Sequence, residues 1–285
     1  MDHEPGGQDQ GSRLDVARIV ERRHALKVLG GLGLVTLVGC GSDAGESTPS
    51  ASAAPSTAVG TAAERAPTAP DTTAASATCT AIPEETAGPF PADGSNGPDL
   101  LAEPGAVRDD ITTSFGSSST VAEGVPTTIA LTVVSLADGC RPLGGAAVYA
   151  WHCDREGRYS MYSEGVEDEN YLRGLQEAGA DGTVSFRTIF PGTYPGRWPH
   201  VHFEVYSSLS EAKSAGRKLA TSQLALPEPT CRAAYAADGY EESRASLGRI
   251  SLDSDMVFAD GYSAQLGRAV GDADVGYTVS LTVAV

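Results

Sequence analysis

No stretch of this 285-residue sequence approaches the roughly 20 consecutive apolar residues that a membrane-spanning helix needs. Positive charge is also scarce. Only 20 Lys and Arg stand against 37 Asp and Glu, a net charge of −17. Such a surface repels a phosphate backbone, which argues against nucleic-acid binding. Helical periodicity is sparse, and no internal repeat is visible. Cysteine and histidine are both rare, at five residues each. What is present is a globular composition, 41% hydrophobic and 6% aromatic, on a chain long enough for one or two domains with a proper core.

Residues 1–39 read as an address. Arg22, Arg23 and Lys27 precede the apolar run "VLGGLGLVTLV", which ends in "LVGC" at Leu37 to Cys40. A basic region, a short apolar core and small residues before a cut make a bacterial export signal. "LVGC" resembles a lipobox, which would make Cys40 the lipidated first residue of the mature chain. "RRHALK" is similar to a twin-arginine signal, with an ordinary Sec signal as the alternative. Residues 40–78 follow as a disordered tether of Ala, Ser, Thr, Pro and Gly, with Val59 its one larger aliphatic. Such a segment buries too little apolar surface to offset its ordering entropy. The expected membrane contact is a lipid on Cys40, and the expected location is the outer face of the cell membrane, or secretion if Cys40 is not acylated.

Residues 79–285 read as one domain built mainly of strands. The runs at 127–136, 146–153, 183–189, 200–206, 218–226 and 276–285 are β-branched or alternating, separated by punctuators such as "RPLGG", "EAGADG" and "FPGTYPG". The expected fold is all-β, an antiparallel sandwich or barrel with long loops. "SLSEAKSAG" suits a short helix. Cys79, Cys140, Cys153 and Cys231 suggest up to two disulfides outside the cytoplasm, with free buried thiols as the alternative. Cys140 and Cys153 flank one strand, whose extended length argues against that pairing.

"YPGRWPHVHF", residues 194–203, concentrates the chemistry. In a strand, His200 and His202 point to one face while Val201 and Phe203 point to the other. The mature chain holds one other histidine, His152. The turn "PGTYPGRWP" ahead of the pair is stiffened by three prolines and holds Tyr194 near it. Tyrosine must ionise to bind a metal, which takes a strongly Lewis-acidic ion. A His/His/Tyr set thus points to iron(III) and asks for a second tyrosinate, with Tyr159 and Tyr162 as candidates.

The stretches "RPLGGAAVYAWHCDREGRYSMY", "YLRGLQEAGADGTVSFRTIFPGTYPGRWPHVHFEV" and "SQLALPE", after the opening "CTAIPEETAGPF", resemble the intradiol ring-cleavage dioxygenases. The likeness is to their protocatechuate 3,4-dioxygenase-like, extracytoplasmic lipoprotein branch, and runs from about Cys79 to Glu228. It implies a β-sandwich holding a non-haem ferric ion through Tyr159, Tyr194, His200 and His202. Tyr162 replaces Tyr159 if the loop alignment slips. It further implies Tyr194, Arg197 and Gln223 as catalytic groups. The implied partners are a small aromatic diol and O₂, and the implied reaction cleaves the ring between the hydroxylated carbons to a cis,cis-muconate-type product. No organic cofactor is implied. Two rivals remain: an anchored, non-catalytic sandwich of the same family, and a zinc hydrolase drawing on Glu204. Mass spectrometry of the membrane fraction is expected to find an acylated Cys40; a fully soluble mature protein with a bare Cys40 thiol contradicts the anchor.

Overall fold

The structure, a computed structural model, describes residues 79–285. The export signal, Cys40 and the tether to residue 78 lie outside the described residues. Two sheets stack face to face. In the first, β1 (Pro126–Ser135) pairs antiparallel with β2 (Arg141–Pro142) and β5 (Thr183–Ile189) on one side. On its other side it pairs parallel with β9 (Gly276–Ala284), which β8 (Arg268–Asp272) flanks antiparallel. The second sheet is antiparallel throughout, in the order β4 (Arg173–Glu177), β3 (Ala147–Trp151), β6 (His200–Tyr206), β7 (Lys218–Ala225). The expected antiparallel sandwich is present, with the β1–β9 pairing as its parallel exception.

Alternation explains the core. Ile129, Leu131 and Val133 of β1, Val184 and Phe186 of β5, and Val279 and Val283 of β9 point inward from the first sheet. They meet Val148 and Ala150 of β3 and Val201, Phe203 and Val205 of β6. Odd and even residues of a strand face opposite ways, so this packing sends the other set of β3 and β6 outward. That outer face is also dry. Ala92, Leu100, Leu101 and Ala106, from the segment before β1, cover Ala147, Tyr149, Trp151 and Tyr206. All seven residues of β6 are consequently buried.

Elements that the sequence left unread are short or exposed. β4 carries Arg173 in place of an apolar alternation, β2 has two residues, and β8 is an exposed edge. α1 (Leu209–Lys213) falls inside the expected helix and is capped by Ser208, whose hydroxyl accepts from the Glu211 N–H at 3.2 Å. α2 (Glu228–Ala234) and α3 (Glu241–Leu247) fill part of the stretch before β8. Among the described residues, no helix is long and apolar enough to cross a membrane.

Among the described residues one disulfide forms, not two. Cys79 bonds Cys140, with Cα atoms 5.8 Å apart, and ties the start of the domain to the β1–β2 turn. Cys153 and Cys231 are free and buried. The bond closes a loop across 61 residues, so the Cys79→Ser/Cys140→Ser variant is expected to lose about 2–4 kcal/mol in denaturant unfolding. A loss under about 0.5 kcal/mol would show that the described fold holds without the crosslink.

Candidate metal centre

β6 places His200 and His202 side by side on its outer face, with Nε2 atoms 3.1 Å apart. Each ring is fixed from behind. His200 Nδ1 lies 2.5 Å from the Trp198 carbonyl, which can only accept, so Nδ1 carries the proton and Nε2 is bare. His202 pairs across the sheet with Trp151, and their rings stack at 4.9 Å and 4°. Its Nδ1 is buried without a well-formed hydrogen bond, although the Thr86 backbone lies near enough to favour the protonated ring. Burial, followed by repulsion from Arg197, holds both histidines well below their ordinary pKa. Both are neutral at neutral pH, the form that ligates metals.

Tyr159 comes from the loop after β3. The Asp154 carboxylate shapes that loop by accepting the N–H groups of Glu156 at 3.0 Å and Arg158 at 2.8 Å. Gly157 sits at φ 87°, and a Cβ there would stand 2.7 Å from the Thr193 carbonyl. Only glycine lets this loop touch the turn that carries Tyr194. The Tyr159 hydroxyl reaches 3.4 Å from His200 Nε2, and burial, helped by the nearby Tyr194 phenol, raises its pKa. The Tyr194 ring lies edge-on, 5.8 Å from the Tyr159 ring and 6.0 Å from His200. Burial raises the pKa of both phenols, and Arg197 opposes the rise at Tyr194. The hydroxyl of Tyr162 is committed elsewhere: it donates to the Asn96 carbonyl at 3.0 Å and accepts from the Ala92 N–H at 2.9 Å.

The fold brings Arg197 and Gln223 into the same site. Arg197 Nη1 stands 3.4 Å from His200 Nε2, and Nη2 donates to Gln223 Oε1 at 2.5 Å. The Gln223 amide donates in turn to the Thr86 carbonyl at 2.9 Å, so both of its ends are occupied. Glu204, which the zinc reading required, shares the face of the histidines but is spent on other partners. Its carboxylate accepts from Tyr206 Oη at 2.6 Å and Lys218 Nζ at 2.6 Å. Among the described residues, no three His, Cys, Asp or Glu side chains are grouped to hold a metal.

Sequence reasoning missed four supporting groups. Arg173 is fully buried and donates to the Ser160 carbonyl at 2.9 Å and the Ser160 hydroxyl at 3.0 Å, bracing the Tyr159 loop. Trp151 backs His202. Gly88, at φ 71°, lets the segment before β1 lie on His202, where a Cβ would come within 3.3 Å of the ring. Asp255 binds Arg197 Nε at 2.9 Å. Trp151 and Arg173 lie in stretches whose residues carry the resemblance, whereas no local pattern marks Asp255.

Two imidazole nitrogens stand 3.1 Å apart, flanked by two phenols; His200 Nε2 is bare, so only a proton on His202 Nε2 or a cation between them relieves the repulsion of facing lone pairs. The buried phenols are neutral unless a strongly Lewis-acidic ion ionises them. The donor set therefore fits a hard trivalent ion with nitrogen and phenolate ligands.

Comparison with known proteins agrees in kind. A family model described as Dioxygenase matches residues 96–217, which include both tyrosines, both histidines and Arg197. The chain is 33% identical to catechol 1,2-dioxygenase 1 of Acinetobacter lwoffii over 100 residues, 28% of this chain and 30% of that one. It is 42% identical to 6-chlorohydroxyquinol 1,2-dioxygenase of Cupriavidus pinatubonensis over 55 residues, 19% of this chain and 20% of that one. The matches thus span less than a third of either relative. The fold is that of an intradiol ring-cleavage dioxygenase from Tetranychus urticae, with TM-score 0.58 and 24% identity over 72% of this chain and 94% of that one. Residues 96–217 thus match a Dioxygenase family model, and the chain resembles intradiol ring-cleavage dioxygenases in fold and, over part of its length, in sequence.

Three histidines are buried neutral, His152 with its pKa lowered by burial to about 4. In the unfolded chain each titrates near 6.5, so below that pH the unfolded state binds protons the folded state refuses. Stability of the metal-free protein is expected to be intact above about pH 6.5 and to fall by about 1.4 kcal/mol per pH unit for each histidine as pH drops below it. Urea midpoints at pH 7, 6 and 5 measure the slope; equal midpoints contradict neutral histidines.

Proposed function

We propose that this chain is a non-haem Fe(III) intradiol dioxygenase that cleaves a catechol-type ring between its two hydroxylated carbons with O₂, giving a cis,cis-muconate-type product. One observation carries the reading. Residues from the loop after β3, the turn before β6 and β6 itself bring two phenols and two imidazole Nε2 atoms to one buried point beside Arg197. Tyr159, Tyr194, His200 and His202 are the residues that would hold the iron. When bound, ferric iron supplies a Lewis acid that ionises both phenols and draws electron density from a catecholate.

The remaining work belongs to the protein. His200 and His202 stay neutral, because burial and Arg197 disfavour their protonation. Tyr159 is fixed by its loop, whose Tyr159 N–H donates to Ser163 Oγ at 2.9 Å. Tyr194 Oη, placed beside the Tyr159 phenol and Arg197, is the group that, as a tyrosinate, would take a proton from a diol hydroxyl. Arg197 faces the histidines with Nη1 and stabilises negative charge that develops on the ring; a preorganised donor of this kind is typically worth about 3 kcal/mol. Gln223 contributes through Arg197, since its amide is spent on Arg197 and Thr86.

The placement of the domain belongs to the same proposal. A lipid on Cys40 would tether it outside the cell, and the Cys79–Cys140 disulfide supports an oxidising compartment. Export already folded by a twin-arginine route suits an iron enzyme.

The test is colour, then product. Iron loading is expected to give a visible tyrosinate-to-iron charge-transfer band, and catechols are expected to draw equimolar O₂ and yield ring-opened muconates. Tyr194→Phe is expected to lower kcat about a hundredfold. A colourless, inactive protein after loading favours the non-catalytic sandwich, and cleavage beside the diol refutes the intradiol reading.

A further inference from the structure

Asp255 lies between α3 and β8, beyond the residues matched to the family, and its side chain is 0% exposed. Four N–H groups hold its carboxylate. Oδ2 accepts from Arg197 Nε at 2.9 Å and the Trp198 backbone at 2.6 Å. Oδ1 accepts from the Val257 and Phe258 backbones at 2.8 and 3.1 Å. With both oxygens engaged, the carboxylate cannot turn about its Cβ–Cγ bond without breaking hydrogen bonds in a dry interior.

That rigidity passes to the arginine. A guanidinium is planar, so an anchor at Nε and a second at Nη2 fix both its plane and its tilt. Asp255 supplies the first and Gln223 the second. Nη1 is left on the edge that faces His200. Asp255 also sits within a segment that grips the turn carrying Tyr194 and Arg197. Tyr235 Oη donates to the Pro191 carbonyl, Tyr240 Oη to the Phe190 carbonyl, and the Thr193 N–H donates to Ser243 Oγ. Of these contacts, only Asp255 touches a side chain of the site.

We propose that Asp255 is a positioning residue that sets where Arg197 Nη1 lies, and thereby how well Arg197 stabilises charge on a bound diol. The inference rests on the ring-cleavage reading above. The competing role is structural, since the Val257 and Phe258 contacts by themselves make Asp255 a turn former. The two carboxylate oxygens separate these roles. In Asp255→Asn the amide oxygen still accepts from Val257 and Phe258, while the NH₂ group confronts the N–H groups of Arg197 and Trp198. The turn is kept and the anchor becomes a repulsion.

The test uses the iron-loaded full chain and four forms: wild type, Asp255→Asn, Arg197→Met and the double variant. Asp255→Asn is expected to keep its charge-transfer band, because the four ligands are untouched. Its kcat is expected to fall about a hundredfold, with KM far less affected. Anaerobic titration with 4-nitrocatechol is expected to reach the same end-point with a displaced absorption maximum, because the ligand's charge is balanced by a shifted guanidinium. The double variant is expected to be no slower than Arg197→Met alone, since Asp255 acts through Arg197. Losses that multiply in the double variant, or a kcat within about threefold of wild type in Asp255→Asn, overturn the proposal. If Asp255→Asn does not fold, Asp255→Glu keeps the charge and displaces it by one methylene. It is then expected to lose about tenfold or more in kcat, and wild-type kcat there overturns the proposal. A wild-type protein that forms the coloured centre but opens no ring sinks the underlying reading as well. Ring opening that is indifferent to Asp255 sinks this inference alone.

Discussion

Strand β6 is buried on both faces, and each face places a different demand on the chain. Val201, Phe203 and Val205 join the apolar layer between the sheets, which fixes the register of the strand. The same alternation sends His200, His202 and Glu204 to the opposite face, where water is also excluded. Polar groups in such a place must find partners or bind something. Glu204 finds Tyr206 and Lys218. The histidine Nε2 atoms find each other and two phenols. A one-residue slip of β6 would exchange the two sets and destroy core and site together.

Buried charge around the site is arranged unequally. Arg197 is compensated by Asp255 and oriented by Gln223. Arg173 receives carbonyl and hydroxyl acceptors from Phe90, Pro91 and Ser160, and lies 5.9 Å over the Tyr159 ring and 5.4 Å over the Tyr162 ring. One arginine braces the loop of the first tyrosine, and the other lines the site itself. Both favour neutral histidines nearby, because a cation in a dry interior penalises a second one.

The turn between β5 and β6 depends on more than its prolines. Stiff φ angles narrow its conformations, but its backbone is tied down by Tyr235, Tyr240, Ser243 and Asp255. The stretch after β7 is therefore a clamp on the turn that carries Tyr194 and Arg197. Family likeness covers residues 96–217, and the clamp lies outside that range. The matched range holds Tyr159, Tyr194, Arg197, His200 and His202, whereas Gln223 and the clamp lie beyond it.

Much of the sandwich was legible as sequence, because strand alternation is a local property with a period of two. Six long runs appear as strands within two residues of their expected ends, and the two-histidine face of β6 follows from spacing alone. β4 and β8 were not legible, since one carries a buried arginine and the other is an exposed edge defined by its pairing with β9. The cysteines allowed three pairings, and only the approach of the first described residue to the β1–β2 turn selected Cys79 with Cys140. Sequence motifs named Tyr159, Tyr194, Arg197, His200, His202 and Gln223 as a set. Tertiary structure decided that Tyr162 is spent on backbone groups, that Glu204 pairs with Lys218, and that Asp255 stands behind Arg197. A residue's type and local spacing reveal which face it takes, whereas the partner of a buried charge is set by chain segments distant in sequence.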